Sequence, residues 1–124
     1  IQDGVSVYFP IISELISNCI SKNLSAMLDQ NEEIVNLGRE RQKEFCRYST
    51  SFLRKIWLTK HGLAHIAYIN QEESQTINTL AKAIPEPFFE KAFNHFEGAR
   101  GAVESNANAK MVFCNLTNLL FVSI

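Results

Sequence analysis

No stretch of this chain is apolar for long enough to cross a bilayer, no two of its cysteines form C-x-x-C, and neither G-x-x-x-x-G-K-[ST] nor G-x-G-x-x-G occurs. The first absence excludes a helical membrane span, which needs about 18 or more consecutive apolar residues, and no signal peptide is read at the start. Cys19, Cys46 and Cys114 are odd in number, widely spaced and set among apolar neighbours. They are expected as reduced core thiols of a cytoplasmic protein and not as a disulfide framework. Without either glycine-rich loop the chain has no usual cradle for nucleotide phosphates, so ATP binding by this chain alone is not expected. Charge of one sign is missing too: a net charge of -1 gives no global field to draw in nucleic acid or a membrane surface. Finally, no segment alternates as a strand up to a hairpin turn.

What is there is helical. The 124 residues, 46% hydrophobic and 20% charged, are the size and composition of one globular domain over residues 1–124. Apolar positions recur at helical spacing in nearly every segment, which predicts an all-α fold, a single bundle of five or six helices. Pro10 suits the start of a first helix with Ile11, Ile12, Leu15, Ile16, Cys19 and Ile20 on one face, broken at Lys22-Asn23. Leu24, Met27, Leu28, Ile34 and Val35 trace a second, with Gly38 at its end or in a tight junction to the third. The longest helix is expected from about Arg39 to His61, with Gly62 as a left-handed stop and Phe45, Tyr48, Phe52 and Ile56 as its buried stripe, flanked by Leu53 and Trp57. After an apolar connector, Asn70 and Glu73 have the spacing of a capping box before the stripe Ile77, Leu80, Ala81, Ile84, which Pro85 ends. Pro87 opens an aromatic-rich helix in which Gly98 and Gly101 predict a bend or a closely approaching neighbour.

The last segment carries the most apolar surface. Asn106 and Asn108 can cap a helix whose Ala109, Val112, Phe113, Leu116, Leu119 and Leu120 share one face at ~100° per residue. Met111, Cys114, Phe121 and Val122 fall on the other side, and only Lys110, Asn115, Thr117 and Asn118 interrupt an otherwise all-round apolar helix. A helix with two apolar sides must bury both, so Met111, Cys114, Phe121 and Val122 are candidates for a subunit interface.

The residues that could carry chemistry are scattered. His61 and His65 have a possible metal spacing, but Gly62 lies between them and no Glu follows the first His, so they read as helix end plus connector. Glu32-Glu33 and Glu72-Glu73 are adjacent acids that point ~100° apart on a helix, expected as solvated faces or first-turn charges. Gly98-Ala99-Arg100-Gly101 matches a G-x-x-G nucleic-acid loop, but that fold needs strands. No catalytic residue, metal ligand or cofactor site is assigned. Charge, however, is unevenly placed. From Arg39 to Lys60 there are seven basic residues against two acidic, and five against eleven elsewhere. Lys43, Arg47 and Arg54, with His61, fall on one side of the long helix, a candidate basic surface, although Leu58 points the same way. A helical nucleic-acid-binding module using that face is the alternative reading.

Two stretches then point to a family. Gly38-Arg39-Glu40-Arg41-Gln42-Lys43-Glu44-Phe45 with the following Phe52-Leu53-Arg54, and Val103-Glu104-Ser105-Asn106-Ala107-Asn108-Ala109-Lys110-Met111-Val112-Phe113, resemble the C-terminal domain of the delta prime subunit of the bacterial DNA polymerase III clamp loader, in its Bacteroidetes-type form. The resemblance covers roughly Leu24 to the C-terminus. It implies a non-catalytic helical collar domain, without the N-terminal AAA+ module of the parent protein. The implied partners are the collars of other clamp-loader subunits, with DNA and the sliding clamp reached only indirectly, no membrane, and a cytoplasmic setting. It also implies that ATPase and polymerase activities lie elsewhere in the holoenzyme.

Overall fold

The computed structural model describes residues 7–124, and six α-helices run through them: α1 Phe9–Ile20, α2 Leu24–Val35, α3 Arg39–Lys60, α4 Gln71–Ala83, α5 Glu86–Glu104 and α6 Ala109–Ser123, with a 3-10 turn at Ala64–Ile66. No strand occurs among the described residues, so the all-α bundle holds. The chain is already helical at Val7 and Tyr8, before Pro10.

Local chemistry sets the boundaries. Three helices end in the same way, with a left-handed residue whose N–H and that of the next residue turn back onto the last helical carbonyls. Lys22 (φ 62) closes α1, with Asn23 N donating to Asn18 O at 2.8 Å; Gly62 (φ 74) closes α3, with Leu63 N on Leu58 O at 2.7 Å; Asn106 (φ 66) closes α5, with Ala107 N on Ala102 O at 3.0 Å. Gly38, at φ 88, makes the junction between α2 and α3. There the Gln42 side chain donates to Val35 O (2.9 Å) and so satisfies a carbonyl at the end of α2. Asn23, Asn70 and Asn108 cap α2, α4 and α6 through their side-chain oxygens, and the Asn70–Glu73 capping box is complete.

The helices pack in a closed circuit: α3 lies on α4 and α5, α5 on α6, α6 on α2, α2 on α1, and α1 returns to α4. Their apolar stripes meet in one core. Phe45, fully buried at mid-bundle, has ring centroids of Tyr8 at 6.2 Å, Phe96 at 6.2 Å and Phe113 at 6.5 Å. Leu58, placed by periodicity on the cationic side of α3, is buried, and the turn at Gly62 brings Leu63 N back onto its carbonyl. Polar side chains also enter the interior. Thr117 donates to Asn31 Oδ1 (2.6 Å) between α6 and α2, and Gln30 reaches Ile11 O (3.3 Å) between α2 and α1. Ser49 Oγ is buried with no hydrogen-bond partner among the described residues.

The two glycines of α5 correct an expectation. The helix runs uninterrupted from Glu86 to Glu104, and a Cβ added at Gly98 or Gly101 would meet nothing within 4 Å. No close approach therefore requires them, and they only loosen the helix. Gly98→Ala and Gly101→Ala are each expected to raise the unfolding free energy by about 0.5–1 kcal/mol. Urea unfolding of each variant measures this, and a loss of stability would mean that the space seen around these positions is occupied in solution.

Candidate interaction surfaces

The orientation of α6 is set by the two asparagines before it, which do different work. Asn106 ends α5, whereas Asn108 Oδ1 accepts from Met111 N (3.1 Å) and starts α6. From that start Phe113, Leu116, Thr117 and Leu120 turn inward, while Ala109, Val112 and Leu119 are half-buried at the flanks. Of the four residues expected on the far side, Met111 (72% exposed), Val122 (74%) and Cys114 are exposed. Phe121 is half-buried against the core, with Lys22 Nζ 5.9 Å from its ring centroid. The outward row is mixed: Met111, Asn115, Asn118 and Val122 follow one another at helical spacing, so two exposed amides separate the apolar ends. Beside this row, between α5 and α6, runs a groove of about 380 Å³ with Gly98, Ala102, Val112 and Leu119 in its lining.

The exposure of Cys114 agrees with its place on the outward side of α6 but overturns its reading as a core thiol. It accepts a long hydrogen bond from Asn118 Nδ2, at 3.9 Å. Cys19 and Cys46 are core thiols, pushed up by burial to about 11 and about 12 respectively, and so protonated and unreactive at neutral pH.

The basic face of α3 is partly compensated, by Glu40 on the same helix and by acids of α5 that periodicity could not show. Lys43 pairs with Glu40 (3.1 Å), and its side chain is only 16% exposed. Arg47 is exposed beside Glu97, whose carboxyl is held below its usual range by hydrogen bonds from Arg100 and more weakly by the charges of Arg100 and Arg47. His61 Nε2 meets Glu86 Oε1 at 2.8 Å, and Trp57 Nε1 donates to Glu86 Oε2 at 3.0 Å. The Trp57 hydrogen bond, followed by that of His61, lowers the Glu86 carboxyl. Arg54 is exposed and makes no ion pair among the described residues. His65 stands apart in the 3-10 turn, and no three His, Cys, Asp or Glu side chains among the described residues are placed to hold a metal ion.

Two further polar clusters were not legible as such. Glu73 was expected as a first-turn surface charge. Instead its side chain is fully buried, taking the Tyr48 hydroxyl on Oε2 (2.6 Å) and Lys55 Nζ on Oε1 (3.1 Å) while closing the capping box. Burial, then the hydrogen bond to Glu73, pushes the Tyr48 phenol far up, so it remains a donor. His95 Nε2 lies 3.0 Å from Ser123 Oγ, and the Ser123 hydroxyl donates to Leu119 O (2.7 Å). The imidazole must therefore donate to the serine, the reverse of the bond a general base needs. The pair is a tether on the end of α6. No helix among the described residues is long and apolar enough to cross a membrane. No family model, curated protein or solved structure matches the chain.

Proposed function

We propose that this chain is a helical assembly module, the collar domain of a clamp-loader subunit of the delta prime type, which packs with the collars of other subunits to support sliding-clamp loading in DNA replication. The observation that carries the reading is the exposure of Met111 and Val122 on the terminal helix, with Phe121 left half-buried at their side. Large apolar side chains in that state are stabilised by a neighbouring surface. The all-α bundle is compatible with a collar, and the residues of the resemblance make its two junctions: Gly38 and Gln42 join α2 to α3, and Asn106 and Asn108 join α5 to α6.

The test is size-exclusion chromatography of the chain mixed with the other clamp-loader subunits of a Bacteroidetes-type bacterium. Co-elution is expected, and Met111→Asp/Val122→Asp is expected to weaken it by about tenfold or more while the melting temperature moves by less than about 2 °C, as for surface changes that touch no core contact. Absence of co-elution at micromolar concentrations, or a double variant that assembles normally, sinks the reading. Phe121 is a poorer probe, because its ring also contributes to the fold.

A further inference from the structure

We propose that the exposed arginines of α3 form a docking face for the acidic face of α2 on a second copy of this chain. Helices α1 and α2 carry Glu14, Asp29, Glu32 and Glu33, all exposed, and not one cation. Helix α6, against which α2 packs, supplies only Lys110, and Lys22, between α1 and α2, stands over the Phe121 ring. None of the four carboxylates is in an ion pair among the described residues. On α3 the imbalance is reversed. Seven basic residues stand against two acidic, and Arg39, Arg41, Arg47 and Arg54 are exposed without an ion pair among the described residues.

The carboxylates of α2 thus have only Lys110 as a cation on the helices that flank them, and no ion pair to it, while α3 has arginines in excess, and a second copy brings the two together. Leu28, exposed at 37% beside Asp29, adds an apolar contact to the acidic side. A phosphate backbone fits the α3 face less well. It presents a charge at every step, so Glu40 and Glu44, exposed among the arginines, would meet it with repulsion. Discrete carboxylates on a protein surface can be placed between them. Attraction of this kind is short-ranged, with a Debye length of about 30 Å at 0.01 M salt and about 3 Å at 1 M, so the association is salt-sensitive.

Sedimentation velocity over a range of protein concentrations tests this at about 0.01 M and about 1 M salt. The expected result is association at low salt and monomer at high salt. Arg47→Glu/Arg54→Glu and Asp29→Lys/Glu33→Lys should each weaken self-association by about tenfold or more, and an equimolar mixture of the two variants should associate again, because each now complements the other. Thermal melting shows that both variants remain folded. A wild-type chain that stays monomeric at low salt overturns the proposal, as does a mixture that fails to re-associate. Duplex DNA binding that is lost in Arg47→Glu/Arg54→Glu, with no self-association, also overturns it and reassigns the face to nucleic acid. Failure here leaves the reading of α6 intact, since that rests on Met111 and Val122.

Discussion

Phe45→Ala lowers the unfolding free energy by about 3–5 kcal/mol, the usual cost of emptying an aromatic site in a core. Phe45 is fully buried, and its ring meets Tyr8 ahead of α1, Phe96 on α5 and Phe113 on α6, so removing it takes a contact from three parts of the circuit at once. A chain of 124 residues has on the order of 6–19 kcal/mol in all, at roughly 0.05–0.15 kcal/mol per residue, so the loss is a large share. Phe45→Leu keeps most of the volume and should cost about half as much or less. Urea unfolding of both variants provides the measurement. A loss for Phe45→Ala under about 1 kcal/mol would mean that the helices close over the site, and that the core is not centred there.

Glu73→Ala has a comparable expected effect, about 3–5 kcal/mol, for a different reason. The change leaves Lys55 mostly buried without its counter-charge, removes the acceptor of the Tyr48 hydroxyl, and opens the capping box that starts α4. Glu73→Gln keeps an acceptor for Tyr48 but not the charge, and should fall between wild type and Glu73→Ala. Combining Glu73→Gln with Lys55→Met removes the stranded ammonium and should recover part of the loss, a coupling that a double-mutant cycle reads directly. Equal stability of Glu73→Ala and wild type would show that Lys55 and Tyr48 find other partners as readily.

Much of the fold is legible in the sequence because its signals are local. The stop at Gly62, the box at Asn70 and Glu73, and the prolines around Pro85–Pro87 each act within a few residues, and the apolar stripes of α1 and α4 are buried as their spacing predicts, Ile20 alone being half-buried. The failures share a cause as well. Glu73 has the pattern of a cap, and only the arrival of Tyr48 and Lys55 from α3 makes it a buried acid. Gln30, Asn31 and Thr117 are buried polar residues whose partners lie far away in sequence. The cationic side of α3 is tempered by Glu86 and Glu97, which α5 contributes. Phe121 shows the limit of angular reasoning on a single helix, whereas for Cys114 that reasoning holds and only the expectation of a core thiol fails. Apolar neighbours in sequence made Cys114 resemble a core residue, and the nearness of Lys22 and the core draws Phe121 inward.

The circuit of helices has a consequence for synthesis. Helix α2 is made before α3, α4 and α5, yet the surface it packs on besides α1 belongs to α6, the last of the six described helices. Until then part of the apolar face of α2 lacks its covering, and the Asn31 amide waits for a threonine 86 positions downstream. The nascent chain therefore cannot complete its bundle one helix after another. It must carry a partly open seam until α6 has been made, when the arrival of that helix closes the ring of contacts in a single step.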